Sequence, residues 1–144
     1  MTRVWKQILV PPEASMEDTI KVIDSAGLKL ALVIDDNYKL LGMVTDGDIR
    51  RALIKHKSMD TPIVDVMNPD PLTVDKRVSK SRILSLMKKN VLMAIPLVSG
   101  DKLVGLETLE KMVYRPHYDN PIFLMAGGFG TRLRPLTNDC PKPL

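Results

Sequence analysis

The 144 residues carry a net charge of +4, with 44% hydrophobic and 26% charged positions, a balance that fits one compact soluble domain and excludes a disordered tail. The longest apolar run, Val91 to Val98, is far short of the ~20 residues a membrane helix needs and contains Pro96, so no membrane span is predicted. The basic excess is mild and interleaved with acids, and aromatics are only 4%, which argues against a nucleic-acid partner.

Lys6 and Gln7 fall where a signal peptide would need its apolar stretch, and Cys140 is the single cysteine, so cytoplasmic residence without disulfides is expected. His56 and His117 are isolated from each other and from any Cys pair, so no metal site is predicted. The nine Met residues sit in apolar positions and read as core filler.

In chain order, Ser15-Met-Glu-Asp18 has the form of a capping box with Asp for Glu, and Ile20, Ile23 and Ala26 follow at helical spacing. Ala31 to Ile34 is a fully apolar strand, Asp35 to Tyr38 turns, and Leu40 to Val44 returns as the second arm of a hairpin. Thr45 opens a second helix with Ile49, Leu53 and Ile54 on one face. Asp60 to Thr73, with three prolines, reads as a connector feeding an extended segment. A helix over Ser79 to Lys89, strands over Ala94 to Val98 and Leu103 to Leu106, and a last helix near Thr108 repeat the order.

Shifting the sequence by 63 residues aligns Met16–Thr45 with Ser79–Thr108 without a gap: Ile20 meets Ile83, Ala31 meets Ala94, Gly42 meets Gly105 and Thr45 meets Thr108. Gly27 meets Asn90, the two residue types that best tolerate the left-handed conformation closing a helix, so both helices are predicted to stop there. A unit of about sixty residues has too little interior to be secure alone, so the two halves are expected to share a core with pseudo-twofold packing of their sheets. Residues 115–121 have the composition of a linker, and Ile122 to Met125 begins a new buried-type strand.

The repeat, with Gly42-Met-Val-Thr45-Asp-Gly-Asp48 ending its first hairpin, resembles a pair of CBS motifs, a Bateman module. The resemblance implies an α+β fold of two βαββα units, residues 1–62 and 63–114, with a cleft that binds adenosine-type ligands (AMP, ADP or ATP) and association into a homodimer. Its Asp, here Asp48, would accept hydrogen bonds from ribose hydroxyls, and Thr45 would touch ribose or phosphate; Ala31 at the start of the strand joins the candidates. A carboxylate at a helix start suits that task, although Thr45-x-x-Asp48 also serves as a plain helix cap. The second unit places Lys111 where the first has Asp48, and an ammonium cannot accept from a diol. Lys111 is therefore either a solvated helix residue or a cation leaning across the pseudo-twofold axis to a phosphate, and Glu107 adds a carboxylate near the cleft. Arg50 is a further candidate phosphate contact, on a helix whose basic residues also read as a solvated face. A dimerisation scaffold with vestigial clefts is the alternative to ligand binding.

Leu124-Met-Ala-Gly-Gly-Phe-Gly-Thr-Arg-Leu-Arg-Pro-Leu-Thr, continuing to Pro-Lys-Pro-Leu144, resembles the opening of the sugar-1-phosphate nucleotidylyltransferases. That resemblance implies the first strand and phosphate loop, residues 122–144, of a Rossmann-like domain that joins a nucleoside triphosphate to a sugar 1-phosphate and releases pyrophosphate. Gly127, Gly128, Gly130 and Thr131 would let backbone amides approach the triphosphate closely. Arg132 would contact the phosphates being split and Lys142 would support the developing charge. Mg2+ would be held by acidic residues further along than Leu144, and a catalytic domain truncated there is expected to be inactive.

Overall fold

The computed structural model describes residues 4–113 and 134–135; the predicted linker, the strand from Ile122, the loop residues Gly127, Gly128, Gly130 and Thr131, and Arg132 and Lys142 lie outside the described residues. The chain divides into two compact units at Tyr114/Arg115.

The first unit repeats one arrangement twice. Its first half contains β1 (Leu9–Val10), α1 (Met16–Ala26), β2 (Leu30–Ile34), β3 (Leu40–Thr45) and α2 (Asp46–Ile54). The second contains β4 (Val74–Asp75), α3 (Lys80–Asn90), β5 (Ala94–Ser99), β6 (Lys102–Thr108) and α4 (Leu109–Val113). This is the expected α+β pair of βαββα units. Each half has a three-stranded sheet, ordered β1-β2-β3 and β4-β5-β6, with the short first strand parallel to the second and the hairpin antiparallel.

The apolar run of β2 follows from burial on both faces. Ala31 and Val33 pack with Ile23, Val44, Ile49 and Ala52 under α1 and α2. Leu30 and Leu32 point the other way, into a cluster with Ile8 and with Ala94, Leu103 and Leu106 of the second half. The shared core thus lies between the two sheets, and Val74, Ile83, Met87 and Ile95 form a third cluster beneath α3.

The repeat contains an offset that the gapless alignment misses. Leu30 pairs with Thr45 and Ala94 pairs with Thr108, so Leu30 and Ala94 are counterparts, 64 positions apart, while the two threonines are 63 apart. The first hairpin is one residue longer than the second. Gly27 closes α1 at φ +67°, and the left-handed residue closing α3 is Val91 at φ +54°, not Asn90, which stays helical with its side-chain amide donating to the Leu86 carbonyl at 2.9 Å.

The connector also does more than span. Met16 N–H donates to the Thr61 carbonyl (2.9 Å), and Ile63 N–H donates to the Ala14 carbonyl (2.8 Å). Ile63 is fully buried in the first core, in a 3-10 turn over Ile63–Asp65. Asn68 then exchanges two backbone hydrogen bonds with Met43, at 3.0 and 2.8 Å. Residues 63–68, which open the second unit as the sequence divides it, therefore pack on the first half.

Candidate functional site

Where β2 and β5 begin and β3 and β6 end, the two halves leave a cleft of about 520 Å³. That volume is within the range of small-molecule sites. Gly27 to Leu30 and Thr45 to Gly47 line it from the first half; Val91 to Ala94, Thr108 and Glu110 line it from the second, and Met43 adds to the floor. The walls are mainly aliphatic, from Leu28, Leu30, Met43, Leu92 and Met93. Val91 and Met93 are 88% and 71% exposed, large apolar side chains held at the lip rather than in a core. Such exposure is informative where apolar residues gather on a concave surface.

Thr45 brings the hairpin into α2 and caps it. Its hydroxyl accepts from Asp48 N–H (3.4 Å) and donates to Asp48 Oδ2 (2.6 Å), which also accepts from Thr45 N–H (2.8 Å). This reciprocal box satisfies two backbone donors that the first turn would otherwise leave unpaired. Asp48 Oδ1 accepts from the Arg51 guanidinium. With two lone pairs on each oxygen, Oδ2 is fully used and Oδ1 keeps one acceptor position. The cap is thus present, and Asp48, next in sequence to Gly47, is not among the residues that line the cleft.

The other sequence candidates separate. Ala31 is fully buried, pairs with Val44 and packs in the first core; Leu30 is the strand residue at the cleft. Arg50 lines a different depression of about 260 Å³ with Ile20, Ile23, Asp46, Ile49 and Leu53. Lys111 does not cross the pseudo-twofold axis. Its Nζ lies 3.6 Å from Glu107 Oε2, its side chain is 65% exposed, and its N–H donates to Thr108 Oγ1 at 3.3 Å. Thr108 therefore repeats only half of the Thr45 box, because Lys111 has no acceptor to return.

Sequence reasoning missed Lys29, which lines the cleft in the left-handed conformation at φ +56°. For a residue with a Cβ that conformation costs roughly 1–2 kcal/mol. The signal was available as a short segment between a glycine helix stop and a buried strand, the place where this fold brings two related loops together. No helix among the described residues is long and apolar enough to cross a membrane.

The family described as CBS domain matches residues 1–55 and 63–111, and the one described as Nucleotidyl transferase matches residues 122–144. Arabinose 5-phosphate isomerase KdsD of Yersinia pestis is 30% identical over 105 residues, covering 72% of this chain and 32% of that protein. The chain spans about a third of the length of such curated relatives. Among solved structures, CBSX2 in complex with AMP is 24% identical, covers 78% of this chain and 94% of its own, and has a TM-score of 0.64. The cytosolic domain of the Mg2+ channel MgtE in complex with ATP is 20% identical, covering 78% and 45%, with a TM-score of 0.64. At these identities the two structures establish the fold alone.

Proposed function

The chain belongs to the CBS domain family, and from that premise we propose that residues 4–113 form a regulatory module that binds an adenine nucleotide in the cleft between its halves. The observation that carries this reading is the cleft itself: an open, mainly aliphatic slot lined by both halves, with Thr45 on its wall and Asp48 next in sequence to the lining residue Gly47. Aliphatic walls remove the faces of a purine from water, and the remaining acceptor position on Asp48 Oδ1 takes one ribose hydroxyl without unmaking the cap. The complexes of CBSX2 with AMP and MgtE with ATP support an adenine nucleotide as the ligand class.

The segment 122–144 supports attachment of this module to a nucleotidyltransferase acting on sugar 1-phosphates. Arg132 and Lys142 are its proposed catalytic residues, with Gly127, Gly128, Gly130 and Thr131 as the triphosphate loop. Among the described residues no three His, Cys, Asp or Glu side chains gather, and the ligands of the Mg2+ such enzymes use are expected in the catalytic domain instead.

Calorimetric titration with adenosine, AMP, ADP and ATP tests the reading, with Met93→Glu as the control. Met93 is exposed at the lip, so the substitution leaves the core intact while placing a charge on an apolar wall. One site per chain, weakened at least about tenfold in the variant, is expected from the loss of apolar contact and from the charge that a bound ligand would have to cover. Absence of binding by all four compounds, or equal binding by the variant, contradicts the reading. The competing scaffold reading is favoured by Lys111 replacing the acidic residue in the second half, and it predicts a stable dimer with no ligand heat.

A further inference from the structure

We propose that the cleft selects an adenine ligand bearing one phosphate over its polyphosphate forms, with Lys29 reading the phosphate and Asp46 and Glu110 rejecting further ones. This selectivity rests on the cleft being an adenine-nucleotide site.

Charge placement carries the inference. Among the described residues, Lys29 is the one cationic residue lining the cleft, and it makes no ion pair with any of them. The other cations near the cleft do not line it: Arg51 is held on Asp48, Lys111 lies over Glu107, and Arg50 lines the neighbouring depression, which shares Asp46 with the cleft. Asp46 and Glu110 line the cleft from opposite halves, each without a hydrogen-bonding or ionic side-chain partner among the described residues. The start of α2 offers little to an anion, because Asp46 and Asp48 already occupy its first turn and Thr45 caps it. One cation therefore faces two carboxylates. A single phosphate finds Lys29, whereas a second and third meet only like charge, which disfavours them.

The test is calorimetric titration of the 144-residue chain with adenosine, AMP and metal-free ATP, using wild type, Lys29→Gln, Lys29→Arg and Glu110→Gln. Wild type is expected to bind AMP about tenfold more tightly than either adenosine or ATP. Lys29→Gln should collapse the AMP-to-adenosine ratio toward one and Lys29→Arg should restore it. Glu110→Gln should narrow the AMP-to-ATP gap by several fold. ATP binding as tightly as AMP in wild type, or an AMP-to-adenosine ratio unmoved by Lys29→Gln, would overturn the proposal while leaving an adenine site in place. If no compound binds, the underlying reading falls and this proposal with it.

Discussion

Gly42 and Gly105 occupy the same place in the two halves, yet alanine should be far more damaging at the first. A Cβ on Gly42 would lie 2.5 Å from Met67 Sδ and 2.6 Å from the Asn68 carbonyl oxygen. Met67 can rotate, but Asn68 presents backbone, fixed by its two hydrogen bonds to Met43. Relief requires lifting the connector, which loses both bonds at about 1 kcal/mol each and adds about 1–2 kcal/mol of packing strain. Together these amount to about 3–4 kcal/mol. At Gly105 the nearest atom is Leu97 Cδ1 at 3.2 Å, the tip of a half-buried side chain that can turn aside. That change should cost under about 1 kcal/mol. Urea unfolding of both variants, followed by far-ultraviolet circular dichroism, measures the difference. Equal penalties, or a larger one at Gly105, would refute the claim that the connector is seated on β3 as backbone against backbone.

Further outcomes are expected from the caps, the strained loop and one exposed ion pair. Thr45→Val removes the box that starts α2 and should destabilise by about 1–2 kcal/mol in the same unfolding assay, more than Thr108→Val, whose partner is the five-residue α4. Lys29→Gly relieves a left-handed backbone but frees the unfolded chain, so a net gain of roughly 0.5 kcal/mol is expected where glycine usually destabilises. Hydrogen bonds from the Arg77 side chain, then from its backbone N–H, hold the Asp75 carboxyl below the ordinary carboxylate range. A depressed folded value means that its contribution is present above the unfolded value and lost as pH falls through the folded one. Carbon-detected NMR titration should place Asp75 below the ordinary carboxylate range, and Arg77→Ala should return it toward that range.

Most of the fold was legible because apolar period and turn chemistry agree locally. The β2 run declared burial on both faces, Ser15 and Thr45 marked two helix starts, and Gly27 marked a stop at its observed position. The gapless repeat failed by one residue in the hairpin, because residue identity at Ala31 and Ala94 rewarded an alignment that strand pairing does not obey. That single slip displaced two readings: Ala31 went to the cleft instead of Leu30, and Asn90 replaced Val91 as the left-handed residue. The role of Ile63 was hidden because a proline-flanked connector gives no periodic signal, and it is buried in a cluster assembled from residues as distant in sequence as Val10, Met16 and Ile23. Site chemistry was harder still. That none of Arg50, Arg51 and Lys111 lines the cleft reflects ion pairs with Asp48 and Glu107 and helix rotation, neither of which residue type alone specifies.

The most direct test of the central claim is an amide 1H–15N NMR titration with AMP. Saturable shifts concentrated at residues 27–30, 45–47, 91–94 and 108–110 are predicted, since these segments from both halves line one cleft. Absence of shifts, or shifts confined to the hairpin end near Lys39, Asp70 and Asp101, would contradict an adenine-nucleotide site between the halves.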